Sequence, residues 1–367
     1  MHSYEFPPLG GGGARVVNGL SRELVRFGHQ VDLVTMGFKG LPRHETVGGV
    51  NVHRVPCTRL RKSVCTPPEM LSYLSRMLLT GCNGSGPYDL QHFHFIFPDG
   101  LLSLFERKHG HLPLIITAHG SDVPGYNPNR FKVLHRLMAP LWKRVTRAAE
   151  QIVCPSRSLQ SLILAKNREA RTTVIPNGIH EDHLRPDREK KKRIVVVSRL
   201  FERKGVQYLL EAVDGIALDH EIHVVGEGPY FSALERQALE IDAEVKFWGW
   251  LDNDSEELKE LYEGSSIFVL PSASENFPIV LLEAMAASMA IVTTEGTGCA
   301  EVVGDAALLV TPRDSGSLRL ALQRLAGCES TCRDLGRAAR RRLEENFTWT
   351  AVARRYVELY ERYALAR

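Results

Sequence analysis

Short apolar runs rich in β-branched residues alternate along this chain with longer stretches of helical period. Strand patterns fall at 30–35, 50–55, 90–95, 114–118, 151–154 and 173–175 in the first half. In the second half they fall at 193–198, 221–226, 244–248, 267–270, 290–293 and 308–310. Helical patterns lie between them, clearest at 14–27, 130–149, 229–241 and 317–325. Strand, helix and strand repeated in this way predict an α/β protein whose parallel sheets are covered on both faces. The pattern restarts after a charged run at 188–193, read as a solvated linker rather than a localisation patch. Two Rossmann-like domains are therefore expected, one over 1–185 and one over 186–348. Only Met1 to Tyr4 precede Glu5 and the first glycine cluster. A first strand of at most three or four residues is expected there, or a true start further upstream.

Composition narrows the class. A chain of 367 residues with 44% hydrophobic and 24% charged content can bury two ordinary cores. The longest apolar stretch, 278–293, is broken by Glu283 and is shorter than the ~20 residues that span a bilayer. The first residues lack the basic-then-apolar order of a signal peptide. Cys57, Cys65, Cys82, Cys154, Cys299, Cys328 and Cys332 are scattered without a C-x-x-C, which predicts a thiol-reduced cytoplasmic protein with no structural zinc. Charge is uneven: residues 1–185 carry 23 Lys/Arg and 13 Asp/Glu, net +10, and the remainder 23 and 30, net −7. Opposite signs suggest that the two domains meet different partners.

In open α/β sheets, ligands sit beyond the carboxyl ends of the strands, so chemistry is sought there. The strand at 267–270 runs into a loop holding Glu275 and then a helix holding Glu283, with Pro278 expected in the first helical turn. Backbone N–H groups from Phe277 and Ile279 onward would donate to sugar hydroxyls or phosphate oxygens. Glu275 can accept from sugar hydroxyls, and Glu283 can grip a ribose through both oxygens. The strand at 193–198 ends near Arg199 and Lys204, two cations suited to a departing pyrophosphate. Gly226 and the glycines around Thr297 bring backbone close to a ligand at two further strand ends. In the first half, Gly10 to Gly13 open a helix and offer N–H groups for phosphate. His119 follows the strand at 114–118, beside Gly120 and Asp122, and is placed to touch a reacting sugar.

As a set, these residues resemble the retaining GT-B glycosyltransferases of family 4. The E-x7-E element matches Glu275 to Glu283, the basic pair Arg199 and Lys204, and the glycine loop Gly10 to Gly13. The family's H-G-x-D matches His119 to Asp122, and its Asn-Gly before the linker resembles Asn177 and Gly178. Asn276 and Cys299 stand where the family has glycine; asparagine tolerates positive φ, whereas Cys299 would narrow or re-aim its loop. The resemblance covers nearly the whole chain in order. It implies a GT-B fold with two Rossmann-like domains facing across a cleft, and a last helix at about 349–364 that rejoins the first domain. The C-terminal domain would hold a nucleotide diphosphate sugar, and the N-terminal domain the acceptor. Glu283 would hold the ribose and Glu275, with the N–H groups of Phe277 and Ile279, the donor sugar. Arg199 and Lys204 would hold the diphosphate, with Gly12, Gly13 and Gly226 lining the donor site, and His119 would lie by the reacting sugar. Front-face attack, with the departing phosphate as base, would need no protein nucleophile, cofactor or metal.

Other readings differ in testable ways. A nucleotide-sugar epimerase shares the fold and would turn over donor without acceptor. A silent sugar-nucleotide-binding subunit would not need the full set of Glu275, Glu283, Arg199, Lys204 and His119. Asp252, Asn253 and Asp254 spell a manganese-type D-x-D but precede a helix start, so capping is expected. Nucleic-acid binding lacks basic residues interleaved with stacking aromatics, and a nicotinamide dehydrogenase lacks a complete G-x-G-x-x-G. The +10 half holds Arg59 to Lys62 and the stretch 130–147, where Arg130, Lys132, Arg136, Lys143, Arg144 and Arg147 mix with Phe131, Leu134, Leu137, Met138, Leu141 and Trp142. Such a mixture would suit an ordinary domain helix, or a surface resting on anionic lipid with a lipid-linked acceptor at the inner face of a membrane.

Overall fold

The computed structural model describes residues 1–62, 64–80, 87–105, 112–126, 132–180, 184–253 and 255–364. Cys82, Arg130, Phe131 and Asp254 lie outside them. Contacts divide the chain into two units, Met1–Gly178 with Trp349–Arg367, and Ile179–Thr348. The division thus falls at Gly178, ahead of the charged run from which a boundary at 185 was read.

In the first unit, α1 (Gly12–Arg26) precedes β1 (Asp32–Met36), β2 (His44–Val47) and β3 (Val50–Val55). Then come α2 (Pro67–Thr80), β4 (Gln91–His94), β5 (Leu114–Thr117), α3 (Lys132–Ala148), β6 (Gln151–Cys154), α4 (Arg157–Lys166) and β7 (Thr172–Val174). Strands β4, β5, β6 and β7 pair in parallel in that order, and β3 lies between β1 and β2. His2 joins the two sets: it bridges Val34 and Phe93, and its N–H and C=O bond to His92 and His94. The antiparallel β2 is an addition to the predicted elements. Its period-2 exposure marks a sheet edge, and its turn to β3 uses Gly48 and Gly49, both at positive φ.

In the second unit, β8 (Lys191–Val197), α5 (Val206–Val213), β9 (Glu221–Val225), α6 (Phe231–Ala238) and β10 (Val245–Gly249) run in turn. They are followed by α7 (Glu256–Gly264), β11 (Ser265–Leu270), α8 (Ile279–Ala286) and β12 (Ala290–Thr294). The unit closes with α9 (Gly298–Val303), β13 (Leu308–Val310), α10 (Ser315–Ala326) and α11 (Glu329–Asn346). Its parallel sheet has the order β10-β9-β8-β11-β12-β13. Apolar side chains point both ways: Val195, Phe268 and Ile291 enter one core, and Ile194, Val196, Ile267 and Val292 the other. Burial on both faces explains the unbroken apolar runs of these strands. Winding outward from β8 in one direction and from β11 in the other puts a topological switch point between them, where α/β sheets open a crevice.

The last helix, α12 (Trp349–Ala364), belongs to the first unit. The indole of Trp349 fills space that only glycine leaves open, since a Cβ on Gly19 would come within 2.1 Å of it and one on Gly178 within 2.8 Å. On the other side of these junctions, Ile179 bridges Thr348 and its N–H donates to Phe347 O at 2.9 Å.

The basic stretches are reassigned in part. Arg59 is buried and donates to the carbonyls of Tyr4, Arg61 and Lys62, so it braces the first unit rather than facing a partner. On α3, Trp142 and Val145 are core residues and Met138 and Leu141 pack against that core. Arg136, Lys143, Arg144 and Leu137 remain exposed, and Arg147 pairs with Glu169 at 2.5 Å. Among the described residues, no helix is long and apolar enough to cross a membrane.

Candidate functional site

In the second unit the loops after β8, β9, β11 and β12 lock together. A Cβ on Gly205 would lie 2.1 Å from Pro271 O, and one on Gly226 1.8 Å from Ser198 O. On Gly228 it would lie 2.2 Å from Leu200 O, and on Gly298 1.6 Å from Asn276 O. Real Cβ atoms do not approach so closely, so each position requires glycine. Hydrogen bonds tie the same loops: Leu200 N–H donates to Glu227 O at 2.9 Å, Ala273 N–H to Arg203 O at 2.9 Å and Gly298 N–H to Glu275 O at 3.0 Å.

This framework brings Lys204 and Glu275 into a salt bridge between Nζ and Oε1, with side chains only 14% and 8% exposed. A pair so far from water is a strong local constraint, because either charge alone would be poorly solvated. Arg199 stands exposed at the mouth of the same loop. Glu283 lies within α8, buried, and Tyr262 Oη donates to its Oε2 at 2.8 Å. Tyr262 takes one acceptor position of Oε2, and a carboxylate oxygen has a second, so both oxygens of Glu283 keep acceptor capacity. Tyr262 is a partner of Glu283 that the sequence reading missed; α7 delivers it from outside every recognised motif.

Smaller corrections follow from the same loops. Pro278 precedes α8 as its cap residue, at φ −75° and ψ 117°, instead of lying within the first turn, while Phe277 is buried just before it and Ile279 begins the helix. Asn276 is buried, and among the described residues the positive-φ positions outside glycine are Phe95, Ser288 and Arg313, so Asn276 makes no use of its tolerance for that region. Cys299 lies in the core, where burial raises its thiol to about 11, and Thr297 caps its N–H at 3.1 Å. Ser255 caps α7, accepting from Leu258 N–H at 3.3 Å.

In the first unit, Gly12 and Gly13 form the first turn of α1. A Cβ on Gly13 would lie 2.6 Å from Cζ of Phe95, whereas one on Gly12 would meet nothing within 4 Å. The Phe95 ring in turn lies 4.2 Å from the His119 ring, centroid to centroid, and 4.7 Å from Tyr4. The helix start and the end of β5 thus meet through one aromatic side chain. Asp122 organises the loop after β5: its carboxylate accepts from the N–H groups of Ile96 at 2.7 Å, Gly120 at 2.8 Å and His119 at 3.0 Å. Burial lowers His119 to about 3, so its imidazole is neutral at ordinary pH. The same burial raises Asp122 to about 6.

Beneath His119 lies a histidine ladder that was not singled out from the sequence. His94 Nδ1 is 3.2 Å from His119 Nε2, and the His92 and His94 rings are 4.3 Å apart. His92 bonds to Thr117 Oγ1 at 2.8 Å and to Tyr360 Oη at 2.7 Å, and Tyr356 Oη lies 3.0 Å from Thr117 Oγ1. The available signal was the H-x-H at 92–94, which alternation puts on one face of β4.

Comparison with known proteins agrees with this arrangement. Residues 10–183 match the family described as Glycosyltransferase Family 4, and residues 180–342 match Glycosyl transferases group 1. O-antigen chain mannosyltransferase C of Escherichia coli is 29% identical over 98% of this chain and 97% of the relative. Sucrose-phosphate synthase of Thermosynechococcus elongatus has a TM-score of 0.80 at 22% identity, covering 97% of this chain and 94% of that one. HepE of Anabaena, solved in complex with UDP-glucose, has a TM-score of 0.74 at 16% identity and covers 98% of both chains. With both family models matched end to end along a GT-B fold, the chain belongs to the group 1 glycosyltransferases and is an enzyme of glycosyl transfer.

Proposed function

We propose that the protein moves a hexosyl residue from a UDP- or GDP-sugar to an acceptor with retention of anomeric configuration, in glycolipid or cell-envelope glycan synthesis. The observation that carries this reading is the buried Lys204–Glu275 pair, formed between the loops that follow the neighbouring strands β8 and β11, with Arg199 in the first of these loops and Glu283 in the helix after the second. Glu283, steadied by Tyr262, accepts from the ribose hydroxyls. Glu275 and the N–H groups of Phe277 and Ile279 hold the sugar, and Gly226 lets backbone approach the nucleotide. Arg199 and Lys204 take up the charge that develops on the leaving diphosphate, so the reaction proceeds without a divalent ion. On the first unit, Gly12 and Gly13 offer helix-start N–H groups, and His119 stands by the reacting sugar. The UDP-glucose held by HepE and the mannosyl transfer named for the Escherichia coli relative support a nucleotide-sugar donor.

The acceptor is lipid-linked, and the exposed Arg136, Lys143 and Arg144 with Leu137 rest on an anionic membrane. Each such cation contributes about 1 kcal/mol at the surface, weakened by salt. The test is a panel of UDP-, GDP- and ADP-sugars scored by thermal stabilisation, then transfer in chelator with the product anomer read by NMR. Stabilisation by one UDP- or GDP-sugar and a retained anomer are expected. No stabilisation by any donor, an inverted product, or epimerisation without acceptor would each overturn the reading.

A further inference from the structure

We infer that His94 donates from Nδ1 to Nε2 of His119 and thereby presents His119 to the sugar as its Nδ1–H tautomer. This rests on the reading of His119 as the residue beside the reacting sugar. It adds a positioning residue, His94, and states which proton His119 carries.

The two facing nitrogens, His94 Nδ1 and His119 Nε2, are 3.2 Å apart, so one must be the donor and the other the acceptor. The other nitrogen of His94, Nε2, is buried without a hydrogen-bond partner, and the residue has no exposed surface. Two neutral arrangements are open. If His119 were the donor, the proton of His94 would sit on Nε2 as a buried N–H with no acceptor. If His94 is the donor, its Nε2 is left with only an unused lone pair. Orphaned buried donors are rarer than under-used acceptors, which favours the second arrangement. A doubly protonated His94 would bury an unpaired cation, and burial beside His92 and His119 drives its basicity well down.

The supports around this pair hold it in place. His94 packs against His92 at 4.3 Å, and His92 is itself pinned between Thr117 and Tyr360. Phe95 closes on the His119 ring at 4.2 Å. With Nε2 occupied by His94, the proton of neutral His119 must be on Nδ1, so the ring offers the substrate a donor. Such a group hydrogen-bonds a sugar hydroxyl or an anionic oxygen and cannot act as a base through that nitrogen.

Long-range proton–nitrogen correlation on the full-length protein, with His119 assigned by its loss in His119→Gln, reads the tautomer without reference to activity. The expected wild-type pattern is a protonated Nδ1 and a bare Nε2. A protonated Nε2 in the wild type would overturn the inference, whether or not the protein transfers sugar. His94→Asn keeps an N–H near the Nδ1 position and should preserve the pattern. His94→Phe removes the donor and should convert His119 to a mixture or to the Nε2–H form. Where transfer is measured, loss of one oriented hydrogen bond should lower kcat about tenfold in His94→Phe. Donor KM should stay within about twofold, and His94→Asn should recover most of the rate. An unchanged His119 tautomer in His94→Phe would also overturn it. Wild type and His94→Asn keep the question decidable if His94→Phe does not fold.

Discussion

Gly205, Gly226, Gly228 and Gly298 in the second unit each lie against a carbonyl of a neighbouring loop, whereas Gly13 in the first lies against the ring of Phe95 and Gly10 against the side chain of Glu5. The loops that frame Glu275 and Lys204 are therefore held by backbone against backbone, and the glycine turn before α1 by side chains acting as wedges, although Gly37 at the end of β1 also meets a carbonyl, that of Val55. A carbonyl cannot be shortened by substitution, so the second arrangement resists change at the residues that frame Glu275 and Lys204. A wedge can be trimmed or enlarged, so the first unit can alter the space around His119 one side chain at a time. The charges differ in the same sense. The second unit buries a cation with its anion, Lys204 with Glu275, while the first buries Asp99 with neutral donors, the N–H of Tyr4 and the hydroxyl of Tyr73, each at 3.0 Å.

The largest effect should come from splitting the buried pair. Lys204→Met should lower stability by about 3 kcal/mol by leaving Glu275 charged and unpaired. Adding Glu275→Gln should return most of that loss in urea denaturation, and failure of the second change to help would mean the pair is not the constraint described. Next, Gly298→Ala should slow transfer by about 100-fold through displacement of the Glu275 loop, with no truncation of a nearby side chain restoring it. Gly13→Ala should instead cost about 1 to 2 kcal/mol of stability through overpacking, and Phe95→Leu in the same chain should relieve it. If a side-chain truncation rescued Gly298→Ala equally well, the contrast between the two units would collapse.

The smallest effect concerns pH. Burial raises Asp99 from its ordinary 3.8 to about 8, so the folded protein holds a proton there that the unfolded chain has released. Over that window stability from this group falls as pH rises, and it levels off above about 8. Asp99→Asn has no such titration, and its stability relative to wild type should improve by about 1 kcal/mol between about pH 7 and about pH 8. A flat difference across that interval would remove Asp99 from the account.

Much of the fold is legible in the amino-acid sequence. The central strands of the second unit announced themselves because both faces are buried and the middle of each run is apolar, as in Ile194, Val195 and Val196. Glu275, Glu283, Arg199 and Lys204 stood out as candidates because each follows a strand end, where such folds place their chemistry. The contact between Lys204 and Glu275 was not legible. Lys204 meets Glu275 because β8 neighbours β11, an adjacency that skips β9 and β10 and has no trace in local spacing. Tyr262 and His94 escaped for a related reason. A tyrosine near a helix end and a histidine on a buried strand have ordinary core readings until a partner appears beside them. Strand β2 was hidden by its composition, since His44 and Glu45 are poor strand formers, although the paired glycines after Val47 mark a hairpin. Arg59 misled in the opposite direction, because nothing in a basic run tells which guanidinium will find backbone carbonyls to satisfy it.

The way the chain leaves and re-enters the first unit has an evolutionary consequence. Ile179 and Thr348 are bridged to each other, and Gly178 and Trp349 pack together. The second unit is thus an insert whose own ends meet, and the first unit's cut ends meet as well. Recombination that exchanges the stretch between 179 and 348 for that of a relative needs only two junctions, adjacent in space and outside both sheets. Ends that meet in this way are where insertion is tolerated. A lineage could then change its second unit in one event while inheriting its first intact, and chimaeras joined at these residues are the natural route to new combinations of the two units.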